Sequence, residues 1–161
     1  MKVQYLFSKN KKIGSRIISW AAKFEKLPMD DLPSHVAVLV DEQWVIESTL
    51  TTGVRIAPYD KWKEINQELH KIPCSVFNRD SKLVLSEATA VWNKKYDWSG
   101  IMYFALCYIG LILFKKPLPK QNKWQKKNKY FCTEYIGTLT GIEHSMSSPA
   151  KLLCDILECI K

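Results

Sequence analysis

The stretch FCTEYIGTLTG at residues 131–141 decides how this chain is read. It places Cys132 where a helix begins, with Thr133 and Glu134 in the first turn and Gly141 in the position of a C′ residue. A thiol at a helix start meets the positive end of the helix dipole, which favours the thiolate, the nucleophilic form. A thiolate needs a base partner. Upstream, HVAVLV at 35–40 reads as a strand that opens on a histidine.

The next segments set where that histidine points. Asp41, Glu42 and Gln43 form a polar turn, and residues 44–49 (WVIEST) read as a second strand. Side chains alternate faces along a strand, so the turn length decides which groups meet. A two-residue turn at 41–42 puts Val36 opposite Glu47 and sends His35 to the other face. A three-residue turn at 41–43 puts Ala37 opposite Glu47. His35 and Glu47 are then diagonal neighbours on one face, roughly 7 Å apart at the backbone. That register is the one expected here. It lets Glu47 orient the imidazole and stabilise its charged form.

Around this centre the chain alternates short apolar segments with turns. Residues 13–26 read as a helix with Ile13, Ile17, Ala21 and Phe24 inward and Ser15 as its cap. Residues 54–57 read as a third strand, 59–66 as a short helix, and 71–77 as a strand that Pro73 confines to a sheet edge. Residues 81–96 read as a helix with Val84, Ala88, Val91 and Trp92 on one face. The apolar run 101–114 (IMYFALCYIGLILF) is shorter than the roughly 20 residues of a membrane span and reads as a buried helix, with membrane contact as the lesser option. A basic, proline-containing loop follows at 115–130. Ser148 and Pro149 open a last helix with Leu152, Leu153, Ile156 and Ile160 inward. Strands gather in the first half and helices in the second, which predicts an α+β domain with a small antiparallel sheet.

Length and composition set the bounds. At 161 residues, 47% hydrophobic and 25% charged, the chain suits one globular domain over 1–161. A formal charge of +8 favours anionic partners: a cell-wall-type polymer, an anionic membrane surface or nucleic acid. No nucleic-acid motif is present. The five cysteines, 74, 107, 132, 154 and 159, have no regular spacing and no CxxC pair. That argues against a disulfide framework, and with only three histidines no structural zinc, and no cofactor, is expected. MKVQYLFSKNKK at the start does not read as a signal peptide, so a cytoplasmic location is expected, with peripheral membrane contact as an added option.

Each residue also has a plainer role. A helical cysteine is usually core, the default for Cys107, Cys154 and Cys159. A lone His35 is a strand-start histidine, a lone Glu47 an exposed strand residue. His70 and His144 read as surface or loop residues, and Glu134 as electrostatic support for its helix.

Five motifs in order lift the site above those readings: SHVAVLV at 34–40, VIES at 45–48, GVRIAPY at 53–59, KKYDWSGI at 94–101 and FCTEYIG at 131–137. Together they resemble the circularly permuted papain-like, NlpC-type cysteine hydrolases of the YiiX-like branch. The histidine precedes the cysteine, the reverse of papain's order. The resemblance covers residues 12 to about 155. It implies Cys132 as nucleophile, His35 as base and Glu47 as orienting acid. It also implies that Tyr96 and Asp97 are structural or line the substrate cleft, between the Cys132 helix and the open face of the sheet. Thr133 departs mildly from the family's usual serine, and Tyr135-Ile136 replaces its leucine-rich continuation.

The function this implies is hydrolysis of an amide bond in a peptide or peptidoglycan-like substrate. A lipid-directed acyltransferase or thioesterase, taking an acyl substrate at a membrane surface, is the alternative on the same fold. A non-enzymatic basic binding module, with Trp124 among the lysines, is the other.

Overall fold

The structure is a computed structural model that describes residues 1–10, 13–25, 27–77, 79–119, 121–126, 128–140 and 147–159. Among these it is α+β, with one five-stranded antiparallel sheet and six α-helices. The strands are β1 (Val3–Asn10), β2 (His35–Val40), β3 (Trp44–Thr49), β4 (Gly53–Pro58) and β5 (Asn66–Pro73), in spatial order β4-β3-β2-β1-β5. The helices are α1 (Ile13–Ala22), α2 (Tyr59–Lys63), α3 (Ser81–Ala90), α4 (Trp98–Phe114), α5 (Cys132–Thr140) and α6 (Pro149–Cys159).

β1 was not expected. Sequence reading considered its residues only as a non-signal segment, yet it pairs with both β2 and β5. Residues 3–8 are buried throughout, so the strand lacks the polar alternation that marks a half-exposed strand. Val3, Tyr5 and Phe7 face one core, Leu6 the other.

The two cores lie on opposite faces of the sheet. On one, Val36, Val38 and Ile46 pack with Val84 and Ala88 of α3, Cys132, Tyr135, Ile136 and Leu139 of α5, and Leu152, Leu153 and Ile156 of α6. On the other, Leu6, Ala37, Leu39 and Val45 pack against Tyr59 and Trp62 of α2. The β2–β3 hairpin has the expected register: Val38 pairs with Ile46 and Val40 with Trp44, leaving residues 41–43 as the turn. Asp41 and Glu42 both take positive φ, and the Gln43 N–H closes the turn onto the Val40 carbonyl at 3.0 Å.

Several boundaries differ from expectation. α1 begins at Ile13, so Ser15 lies inside the helix and not at its cap; its Oγ accepts the Asn10 N–H at 3.1 Å. The helix ends at Ala22, and Phe24, in a 3₁₀ turn over 23–25, faces solvent. Of the inward set, the side chains of Ile13, Ile17 and Ala21 lie outside the described ones. β5 runs over 66–73 and not 71–77; Pro73 ends it, on a sheet edge as expected. α3 stops at Ala90, because Asn93 takes a left-handed φ and bonds the Val54 carbonyl, which turns the chain toward β4. Trp92 is therefore exposed. Ser148 caps α6, its Oγ accepting the Lys151 N–H at 3.0 Å. Gly141, His144 and Ile160 lie outside the described residues.

The largest correction concerns α4. The most apolar helix of the chain was expected to be buried. Only Gly100, Phe104 and Tyr108 are, while Trp98, Met102, Leu106, Ile109, Leu113 and Phe114 face solvent. The helix at the centre of the protein is the less apolar α5, buried from Cys132 to Gly137.

Candidate functional site

Glu47 is the hub. Buried on β3, it faces Arg55 directly across the β3–β4 pair. Arg55 donates to Oε1 through Nε at 2.9 Å and Nη2 at 2.6 Å. Oε2 receives His35 Nε2 at 2.7 Å and Trp62 Nε1 at 3.0 Å. Four N–H groups on two oxygens stabilise the charged carboxylate where a bare one would be expelled from the interior. Burial pushes the Glu47 carboxyl up, but the hydrogen bonds and charges of His35 and Arg55 outweigh it and hold it at about 2, below the ordinary 4.5.

His35 is the first residue of β2, and with Nε2 turned to Glu47 it presents its other nitrogen, Nδ1, for a second partner. Cys132 lines the same pocket and lies close enough to influence the ring. Burial alone would lower the His35 pKa. The nearby Cys132 sulfur and the hydrogen-bonded Glu47 carboxylate reverse this and lift it to about 10 from 6.5. That direction favours the imidazolium at neutral pH, held by the Glu47 carboxylate on the pocket wall it shares with Cys132.

Cys132 reaches this position because its helix start is tied down from several sides. Glu134 Oε2 accepts the Phe131 N–H at 3.3 Å, the reach-back half of a capping box. Ser48, next to Glu47, donates to the Tyr130 carbonyl. The Tyr130 N–H bonds the Lys95 carbonyl at 3.2 Å. The segment that precedes α5 is thus fastened to β3 and to the residues before α4.

Tyr96 and Asp97 have different fates. Tyr96 lines the pocket with Cys132, and burial, with the nearby charges of Cys132 and Asp97, holds its hydroxyl in the protonated form. Asp97 is fully buried outside the pocket lining. It caps α4 through the Gly100 N–H at 3.0 Å and accepts the Lys126 N–H at 3.0 Å, so it acts on the scaffold.

The pocket, about 280 Å³, is lined by His35, Glu47, Arg55, Tyr96 and Cys132 together with Ile18, Leu50 and Ile65. Its walls come from the end of β1, the starts of β2, β4 and β5 and the end of β3. In an antiparallel sheet these all lie at one end. The pocket thus sits at the strand ends, where Cys132, packed in one core, shares a wall with His35 and Glu47, whose alternation belongs to the other face.

Sequence reasoning missed Arg55 and Trp62. Arg55 was within reach, because pairing of 44–49 with 53–58 places it opposite Glu47. Trp62 carried no local signal, since its indole meets Glu47 only through the packing of α2. Among the described residues no cluster of His, Cys, Asp and Glu could hold a metal ion, and no helix is long and apolar enough to cross a membrane. No protein-family model matches the chain, and no curated protein or solved structure matches it either.

Proposed function

We propose that this chain is a cysteine hydrolase of the permuted papain-like, NlpC-type fold, acting on an amide bond of a peptide or cell-wall-type substrate. The observation that carries the reading is the chain Glu47–His35–Cys132 at the edge of one pocket, with the ring's pKa lifted by both neighbours. The Cys132 thiolate attacks the substrate carbonyl carbon, and the carbonyl electron pair moves onto oxygen. The Cys132 backbone N–H, one of the unpaired donors of a helix start, stabilises that oxyanion. The intermediate collapses, the C–N bond breaks, and the His35 imidazolium gives its proton to the departing amine. A thioester remains. Neutral His35 then takes a proton from water, whose hydroxide displaces Cys132, releasing the carboxylic acid and restoring the ion pair. Glu47 keeps the ring oriented throughout, and Arg55 and Trp62 keep Glu47 oriented.

A second reading on the same site is a lipid-directed acyltransferase or thioesterase. Ile18, Leu50 and Ile65 on the pocket wall favour it, because they would accept an acyl chain.

A panel of peptidyl anilides, muramyl-type peptides and acyl thioesters, assayed with wild type, Cys132→Ala and His35→Ala, tests both. The first reading expects amide turnover lost in both variants. Thioester turnover alone, lost in the same variants, selects the second. Turnover that survives Cys132→Ala sinks both.

A further inference from the structure

α4 has one anchored face and one free face. Phe104 and Tyr108 are buried against Ile101, Cys107 and Leu118. The Tyr108 hydroxyl donates to Glu25, which also accepts from Ser148 at the start of α6. Opposite them, Trp98, Met102, Leu106, Ile109 and Leu113 follow at spacings of four, four, three and four, one stripe along the helix. Each is between 48 and 66% exposed, and Phe114 at the helix end is 69% exposed. Five large apolar side chains in one continuous row exceed the scattered exposure normal for a protein surface.

The charge beside this stripe says what covers it. Residues 98–130 contain no Asp or Glu. Seven lysines, at 115, 116, 120, 123, 126, 127 and 129, follow the helix directly. Lys115, Lys116, Lys123 and Lys126 are exposed, and Trp124, half exposed, packs its ring 5.4 Å from Tyr103 of α4. A second copy of the chain would bring two such lysine clusters together, which like-charge repulsion opposes. An anionic lipid surface supplies both an apolar layer for the stripe and negative headgroups for the lysines. At 17 residues, or about 25 Å, the helix suits lying in the interface and not spanning it.

We infer that α4 and the lysine loop behind it form a docking surface for anionic bilayers, with the apolar stripe seated at the headgroup boundary. This does not depend on the chemistry assigned to Cys132. It has a consequence for the pocket, however: Trp98 at the start of the stripe touches Tyr96, which lines it, at a ring distance of 5.8 Å. Docking brings the pocket close to the membrane.

The test is co-sedimentation with phosphatidylcholine vesicles, with and without phosphatidylserine, at low and raised salt. Binding is expected with phosphatidylserine only, weakening as salt screens the lysines. Met102→Ser/Leu106→Ser/Ile109→Ser should abolish it, with the far-UV circular dichroism spectrum retained and only a small drop in melting temperature, because each side chain is about half exposed. Lys115→Glu/Lys116→Glu, outside any helix, should weaken binding at least about tenfold, since each basic residue near such a surface contributes about fivefold and two are removed. Cys132→Ala should bind like wild type. Absence of binding to phosphatidylserine vesicles at low salt overturns the inference, as does binding unaffected by both variants. A dimer in sedimentation velocity that the triple serine variant dissolves also overturns it.

Discussion

Arg55 grips a single oxygen of Glu47 with two nitrogens from directly across the sheet, leaving the other oxygen to His35 and Trp62. Arg55 thus acts on the thiol at one remove, through the carboxylate that orients the imidazole. Arg55→Met should raise the Glu47 pKa from about 2 toward 4.5. The acid limb of Cys132 alkylation should move up with it. The stability cost should be about 1 kcal/mol and not the 3–5 of a fully buried pair, because the guanidinium is 39% exposed and water replaces part of what is lost. Arg55→Lys restores charge without the two-nitrogen grip and should recover part of the acid limb. An acid limb that does not move in Arg55→Met removes Arg55 from the site.

The His35–Glu47 pair sets a window of stability. The folded-state pKa of Glu47 is lowered, so its contribution is complete above about 4.5 and is lost as pH falls through about 2. That of His35 is raised, so its contribution is complete below 6.5 and is lost as pH rises through about 10. Both are complete only between 4.5 and 6.5. Urea melts of wild type and His35→Gln/Glu47→Gln should therefore differ most in that window and converge on both sides. In Cys132→Ala, which removes one source of the upward shift, the alkaline loss should still begin near 6.5 but be smaller and complete at lower pH. A difference that stays flat to pH 10 would mean the ring is neutral in the fold.

How far the sequence reaches is visible in this site. The turn 41–43 and the alternation of β2 and β3 were enough to place His35 beside Glu47, because a hairpin register is a local property. The helix start at Cys132 was local too. β1 was not legible, since a strand buried on both faces has no alternation to detect. The exposure of α4 was not legible either: hydropathy records what a helix could bury, and only the tertiary arrangement decides whether a neighbour is there to bury it. The meeting of Cys132 with His35 around the end of the sheet came from motif order and not from any spacing in the chain.

Cys132 is 5% exposed, and Cys107 more so. Accessibility alone would make Cys107 the faster thiol. The proposed ion pair reverses this: iodoacetamide near neutral pH should modify Cys132 first, and His35→Ala should slow that reaction by at least about tenfold through loss of the imidazolium. Peptide mapping after timed quenching reads both. Equal labelling of the cysteines, or Cys107 ahead of Cys132, counts against the nucleophile assignment.

Gly53 cannot be replaced without moving the site. Its φ is +71°, and a Cβ there would stand 2.1 Å from the Lys94 carbonyl oxygen. That carbonyl accepts the Val54 N–H at 2.9 Å, and Asn93 donates to the Val54 carbonyl at 3.0 Å. Gly53→Ala must therefore push residues 93–96 away from β4 and take Tyr96 out of the pocket wall. A loss of at least about 2 kcal/mol is expected from backbone strain and the broken pairing. A melting temperature equal to wild type would show that the two segments are not coupled.

Asp97 joins α4 to the segment that delivers Cys132. Its Oδ1 accepts the Gly100 N–H at 3.0 Å and the Ser99 hydroxyl at 2.7 Å, and its Oδ2 accepts the Lys126 N–H at 3.0 Å. Its own N–H reaches the Tyr130 carbonyl at 3.4 Å. Asp97→Ala strands the Gly100 and Lys126 donors, one of them buried, and should cost about 2 kcal/mol. Asp97→Asn keeps one acceptor oxygen and should cost about half that. If the carboxylate positions the nucleophile, alkylation of Cys132 in folded Asp97→Ala should slow several-fold while Cys107 keeps its wild-type rate, with Asp97→Asn between. A lower melting temperature with Cys132 alkylation unchanged would confine Asp97 to holding the helix. A parallel slowing of Cys107 would mean that the substitution had disturbed α4 itself.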